Sequence, residues 1–103
     1  MKYRVEYLGL ALEDLKEMVS YITDELGSPD SASHLATNIV ERINTLSDFP
    51  YAYAVYIPIR PLAQEFRKMV VQNYSVFYWI DEVSKIITVA RVLYNKRDII
   101  SLL

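Results

Sequence analysis

Cysteine is absent from this 103-residue chain. Without it the fold can hold neither disulfides nor thiolate metal sites. Long apolar runs are also missing, since none approaches the ~18 residues that a membrane span requires. At the N-terminus, Glu6 interrupts any apolar stretch of the kind found in signal peptides. We therefore expect one soluble, cytoplasmic domain covering residues 1–103, which is large enough to bury a core without disulfides or metal ions.

The two halves of the chain differ in charge. The first 59 residues carry four basic and nine acidic side chains, whereas seven basic side chains face four acidic ones from Arg60 onward. The formal net charge of −2 is thus an average over an acidic half and a basic half. This asymmetry indicates a surface that meets anions or an acidic partner.

The acidic half predicts one strand and two helices. Residues 2–7 alternate polar and apolar side chains, as a half-buried strand does. Helical spacing of apolar residues then predicts a first helix closed by Gly27 and a second helix that starts at an Asp30 N-cap and ends before Pro50. The predicted buried stripes are Leu8, Leu12, Leu15, Val19, Ile22 and Leu26 in the first helix, and Ala32, Leu35, Ala36, Ile39, Ile43 and Leu46 in the second.

The basic half predicts three strands after an irregular crossover. Three of the four prolines fall within residues 47–64, which disfavours regular structure there. Strands are expected at 66–71, 74–80 and 86–93, with Asn73 taking positive φ in the first turn and the last strand lying centrally in the sheet. The order βααβββ predicts an α+β fold in which an N-terminal helical hairpin packs on one face of a mainly antiparallel four-stranded sheet.

Four segments of the chain carry a family likeness: ALEDLKEMVSYI, LSDFP, FRKMVVQNYSVFYWID and ITVARVLYNKRD. The most specific part is the ending, where Arg91 is followed by an apolar pair, by Tyr94 and by a basic-basic-acidic triplet at 96–98. In this order the segments resemble the RelE/ParE superfamily of bacterial type II toxins. The resemblance covers essentially the whole chain.

The resemblance implies a small toxin that inhibits growth when free and is neutralised by a cognate antitoxin protein, with which it forms a hetero-oligomer. RelE-like members cut ribosome-bound mRNA, whereas ParE-like members poison DNA gyrase and are not enzymes. Both activities stay open at this point, as does a degenerate toxin fold that only binds protein. No cofactor and no metal is expected for any of these.

An antitoxin needs a docking surface on the toxin. We expect an exposed groove between the helical hairpin and the sheet, next to the basic strands, to accept an acidic and partly disordered antitoxin segment that folds on contact.

Metal-free RNA cleavage would need a base, an acid and cations around the crowded phosphate. Arginine suits the last role because its planar fork binds two phosphate oxygens. The candidate catalytic residues are Arg67, Arg91, Tyr94 and Arg97, and the candidate target-binding residues are Lys68, Tyr78 and Lys96.

Two departures speak against RelE-like chemistry. Ser75 and Leu103 stand where RelE-type nucleases carry an arginine and a tyrosine. Tyr94 stands where many relatives carry histidine, and a phenol with an ordinary pKa of ~10 is a poor base at neutral pH. Alternatively, Arg67 and Arg91 are plain solvent-facing charges on the sheet. The single histidine, His34, is expected to face solvent or to pack between the helices.

Overall fold

The computed structural model describes residues 2–57, 64–95 and 102–103. Within these residues no helix is both long enough and apolar enough to cross a membrane. The elements follow the predicted βααβββ order. They are β1 (Arg4–Tyr7), α1 (Gly9–Ser20), a π-helical segment (Tyr21–Glu25) that continues α1, α2 (Pro29–Thr45), β2 (Arg67–Val71), β3 (Tyr74–Asp81) and β4 (Ile86–Tyr94).

The four strands form one sheet in the order β1-β4-β3-β2. β1 runs parallel to β4, and the other two pairings are antiparallel. β4 therefore lies inside the sheet, which confirms the expectation for the last strand. The β3–β4 register shifts between Phe77 and Tyr78, because Phe77 lies opposite Arg91 while Tyr78 lies opposite Val89. Ala90 is the extra residue of this bulge, which bends the strand locally.

Both faces of the sheet are covered. Val76 and Tyr78 point into the main core, and Phe77 points away from it, because neighbouring residues of a strand face opposite sides. The main core lies under the helical hairpin, where Ile39 and Ile43 of α2 are fully buried. The second cluster, on the opposite face, consists of Phe66, Phe77, Ala90 and Leu93, with Tyr56, Trp79, Leu102 and Leu103 packed against it.

The buried stripe of α1 is rotated from the predicted one. Ala11, Asp14 and Met18 are buried, whereas Leu8, Leu12 and Leu26 are 40%, 50% and 61% exposed. The middle of the predicted stripe, Leu15, Val19 and Ile22, does pack against the core. The predicted stripe assumes one continuous α-helix, but the π-helical segment shifts the phase at Leu26, whose N–H reaches back five residues to the Tyr21 carbonyl at 3.3 Å. Leu8 and Leu12 precede this segment, and they are exposed because the buried face of α1 follows Ala11, Asp14 and Met18.

Two turn assignments also need correction, and one is confirmed. Gly27 has φ of 65° and closes the first helical arm as predicted. The N-cap of α2 is Ser28, with Pro29 at the first helical position, so Asp30 lies inside the first turn. In the β2–β3 turn, Gln72 takes the positive φ of 53° that was expected of Asn73.

Tyr78 connects the sheet to the loop that follows α2. Its side chain is fully buried, and its hydroxyl donates to the Pro50 carbonyl oxygen at 2.8 Å. Burial raises the pKa of Tyr78 to about 12, because the charged phenolate loses its hydration in the core. The proposed contact between Tyr78 and a target is therefore wrong, since no surface of this side chain is accessible.

We expect Tyr78→Phe to lower the free energy of unfolding by about 1–2 kcal/mol, since it leaves the Pro50 carbonyl without its buried donor. Chemical denaturation monitored by circular dichroism measures this difference. Tyr56→Phe is the matched control, because the Tyr56 ring packs edge-on against Phe77 at 5.2 Å and its ring would be kept. Equal losses in the two variants would contradict the role given to the Tyr78 hydroxyl.

Candidate functional site

A groove of about 590 Å³ opens between the helical hairpin and the sheet. α1 and its π-helical segment form one wall, and the end of β4 together with the β2–β3 turn forms the other. Most of the lining is apolar or aromatic, and the charged lining residues are both acidic. The groove is lined by Asp14, Glu17, Met18, Tyr21, Ile22, Leu26, Leu35, Gln72, Asn73, Tyr74, Val92, Leu93 and Tyr94.

The groove wall contains a buried ion pair between α1 and β4. Arg91 donates from Nε to Asp14 Oδ2 and from Nη2 to Asp14 Oδ1, both at 2.8 Å. The two side chains are only 13% and 6% exposed. Such a two-point contact matches the planar guanidinium to the planar carboxylate and fixes the orientation of both.

The local sequence explains why Asp14 lies there. The spacing from Ala11 to Asp14 to Met18 is three and four residues, so all three fall on the buried face of α1. β1 ends opposite Val89, where the Leu8 N–H donates to the Val89 carbonyl at 2.9 Å, and the chain then turns into α1. Beyond that point α1 takes the place of a neighbouring strand beside β4. Asp14 Oδ2 accepts the Val92 N–H at 3.0 Å and so satisfies this backbone donor.

Arg91 makes a third contact on its other side. Its Nη1 donates to the Leu102 carbonyl oxygen at 2.8 Å. The hydrogen bond to Asp14 is the main cause that raises the pKa of Arg91. The reading of Arg91 as a solvent-facing charge is wrong, and its guanidinium is already held by two protein partners. A role as a free phosphate clamp would require this pair to break, which is costly in a buried site.

The two basic residues at the start of β2 also contact the protein. Arg67 donates from Nη1 to the Tyr53 carbonyl at 2.6 Å, and its Cζ lies 4.9 Å from the centroid of the Tyr51 ring. Lys68 Nζ lies 5.7 Å from the centroid of the Tyr56 ring. Arg67 and Lys68 are both half-buried and, as neighbours in a strand, point to opposite faces of the sheet.

Tyr94 lies at the opposite end of the sheet, in the groove. Its ring packs edge-on against Tyr74 with centroids 5.5 Å apart. The other two candidates, Lys96 and Arg97, lie outside the described residues. His34 is exposed on α2, so it faces solvent and does not pack between the helices. Ser75 is fully buried, and its hydroxyl donates to the Asn95 side-chain oxygen.

The described candidates do not form one site. Arg67 pairs with Tyr78 across β2 and β3, whereas Tyr94 pairs with Tyr74 across β3 and β4. Tyr74 and Tyr78 are four residues apart on one strand, a distance of ~14 Å along the sheet. Because Arg67 is also held by the Tyr53 carbonyl and the Tyr51 ring, the Arg67 and Tyr94 side chains do not meet at one site in this structure.

The pKa shifts resolved in the described residues all move away from neutrality. The hydrogen bond from Tyr3, at 2.7 Å, is the main cause that lowers the pKa of Glu82. The pKa of Lys85 is raised, chiefly by its own hydrogen bond to Glu82. The remaining shifts follow the same rule: upward for Tyr3, Tyr7, Tyr78 and Arg91, and downward for Asp81.

Asp14 is the important residue that the sequence analysis missed. An acidic residue placed between two apolar ones on the core side of a helix predicts a buried partner, and this signal was present. It was hidden because the apolar stripe was centred on the exposed Leu12 instead of on Ala11.

Comparison with known proteins gives a family and a fold. The model of the family "ParE toxin of type II toxin-antitoxin system, parDE" matches residues 5–99. No curated protein matches the chain.

Several solved structures share the fold. A chain of the chromosomal ParDE system from P. aeruginosa has a TM-score of 0.73 at 18% identity, covering 90% of this chain and 96% of that one. A chain of the RelBE2 toxin-antitoxin complex from Mycobacterium tuberculosis has a TM-score of 0.66 at 20% identity, with 91% and 99% covered. A mutant of the E. coli toxin RelE in the free state has a TM-score of 0.68 at 12% identity, with 99% and 93% covered.

We expect Asp14→Ala to lower the free energy of unfolding by about 3–5 kcal/mol, because it leaves the buried Arg91 guanidinium unpaired and the Val92 N–H without its acceptor. Urea denaturation measures the loss. Glu13→Ala is the matched control, since Glu13 is the exposed neighbour on the same helix. A loss for Asp14→Ala no larger than that of the control would show that the pair contributes little to stability.

Proposed function

The chain belongs to the family of ParE toxins of type II toxin-antitoxin systems, and from this membership we propose that it inhibits growth by binding DNA gyrase and not by cutting mRNA. It is the toxin component of such a system, and its partner is an antitoxin protein. The proposal concerns the target, which the family resemblance alone left open between gyrase and ribosome-bound mRNA.

The placement of the candidate residues is the observation that carries this proposal. Arg91 uses Nε, Nη2 and Nη1 in hydrogen bonds to Asp14 and Leu102, so it offers no free fork to a phosphate. Arg67 already donates from Nη1 to the Tyr53 carbonyl and packs on the Tyr51 ring. Tyr94, the candidate acid, lies ~14 Å along the sheet from Arg67. Binding to a protein target does not require these side chains to meet at one point. A protein interface extends over a surface, and a few anchor residues in it supply most of the binding energy.

The groove is the docking surface that we propose for the antitoxin. Its apolar lining suits an amphipathic segment that inserts apolar side chains beside Ile22 and Leu35. The charge differs from expectation: Asp14 and Glu17 line the groove, and Asp14 is already paired with Arg91. We therefore propose an antitoxin segment that carries a basic residue opposite the exposed Glu17, in place of an acidic segment.

The target is tested with purified toxin in two assays run side by side, gyrase supercoiling and in vitro translation with mapping of mRNA ends. We expect inhibition of supercoiling and intact mRNA. Expression of the toxin alone should arrest growth of a bacterial host, because the antitoxin is then absent.

Cleaved mRNA with unaffected supercoiling would reject the gyrase proposal and favour the RelE-like reading. In that case Tyr94→Phe should slow cleavage by ~10²- to 10⁴-fold, the usual cost of losing a positioned acid or base. A toxin that leaves both assays and host growth unaffected would instead be a binding module of the same fold.

The groove is tested by charge reversal at its rim. Glu17→Lys should weaken binding of the protein encoded beside the toxin by a few-fold, since exposed ion pairs contribute about 0.2–1 kcal/mol. Isothermal titration calorimetry measures the affinity. Glu13→Lys makes the same charge change on the same helix at a residue that does not line the groove. Equal effects of both substitutions would point to long-range charge instead of a contact at Glu17.

A further inference from the structure

One ion pair joins two separate surfaces of the molecule. Asp14 lines the groove. Its partner Arg91 lines a second, smaller cavity of about 210 Å³ that is formed with the C-terminal residues. The other residues lining this cavity are Leu8, Leu10, Gln64, Phe66, Trp79, Ala90, Leu102 and Leu103.

The guanidinium of Arg91 is shared between the two surfaces. Nε and Nη2 donate to Asp14, and Nη1 donates to the Leu102 carbonyl. Because the guanidinium is planar and rigid, the two bonds to Asp14 also fix the direction of Nη1. The position of Leu102 on the sheet is therefore linked, through Arg91, to the carboxylate of Asp14 on α1.

We propose that the Asp14–Arg91 pair couples the groove to the C-terminal residues, so that filling the groove holds Leu102 and Leu103 more firmly on the second cluster. This inference rests on the groove being the antitoxin site. The Asp14 side chain is 6% exposed, and a segment that covers the groove removes this remaining contact with water. An ion pair is stronger where water is excluded. The stronger pair holds Nη1 in the direction of Leu102.

Leu102 and Leu103 are only partly covered where they pack on the second cluster. Both are half-buried, and they adjoin a cavity whose other wall includes Leu8 and Leu10, which are 40% and 57% exposed. A half-buried contact at the edge of a cavity opens at a lower cost in free energy than the core does. By linkage, a loosened C-terminus must weaken antitoxin binding by the same factor by which antitoxin tightens the seat.

The chain carries its own reporter of this seat. Trp79 is the single tryptophan. It is half-buried, lines the same cavity as Leu102 and Leu103, and packs edge-on against Phe66 with centroids 5.8 Å apart. Its emission should therefore shift to the red when water reaches the cavity, without any label.

The first test uses the free protein and needs no antitoxin. Deleting residues 102–103 should red-shift the Trp79 emission and so calibrates the reporter. Asp14→Asn keeps the shape of the side chain and an oxygen acceptor but removes the charge that holds Arg91. It should red-shift the emission in the same direction, whereas Glu13→Gln on the exposed face should leave it unchanged. If the deletion shifts the emission and Asp14→Asn does not, the coupling is refuted.

Arg91→Lys provides a second variant should Asp14→Asn fail to fold. It keeps a cation beside Asp14 but lacks the fork that reaches Leu102. It should therefore give the red shift while circular dichroism still shows the native fold. Native emission in a folded Arg91→Lys protein would also refute the coupling.

The second test adds the protein encoded beside the toxin, with any tryptophan replaced by phenylalanine. Saturation of wild-type toxin should blue-shift Trp79, and Asp14→Asn should bind with a smaller shift. Unchanged emission in a complex whose affinity depends on Glu17 would reject the coupling and keep the groove assignment. Affinity that is indifferent to Glu17 would reject the groove assignment and with it the coupling, even if the free-protein test shows that the ion pair positions Leu102.

Discussion

The fold depends on the carboxylate of Asp14, which accepts a backbone hydrogen bond from β4 beyond the point where β1 ends. A parallel strand that ends early beside a central strand exposes backbone donors of that central strand, and buried donors need partners. β1 ends opposite Val89, and Asp14 supplies the next acceptor from a helix, bonding the Val92 N–H. The buried negative charge in turn needs a cation, which Arg91 provides. The docking of α1, the wall of the groove and the position of Leu102 all depend on this arrangement.

The two faces of the sheet differ in how completely they are covered. The helical hairpin seals the main core, where Ile39, Met69 and Val89 have no exposed surface. Among the described residues, the opposite face is covered by side chains of the sheet itself, of the preceding loop and of Leu102 and Leu103. In the described part of the chain, the larger share of the buried core therefore lies under the hairpin.

The sequence allowed the element order, the central position of β4 and the α+β class to be predicted, because apolar periodicity and β-branched residues are local signals. The site was predicted less well. Arg67 and Arg91 could be identified as basic residues on strands, but their partners come from Tyr53 and Asp14, which are 14 and 77 residues away in the chain. Tyr78 looked accessible because alternation says which residues share a face but not which face is covered. Positive φ falls on Gln72 instead of Asn73 because of the register of the β2–β3 hairpin. The conformational propensities of the two residues carry no information about this register.

The π-helical segment at Tyr21–Glu25 has a consequence for how this protein compares with its relatives. A π-turn accommodates one residue more than an α-helical turn, and such turns are kept mostly at functional sites because they cost stability. Here that residue falls in the wall of the groove, and it sets the directions in which Tyr21, Ile22 and Leu26 face the opening. A relative whose first helix is one residue shorter at this point would present a different groove wall although its strands were identical. The shape of the groove therefore depends on the length of this segment as well as on the side chains that line it.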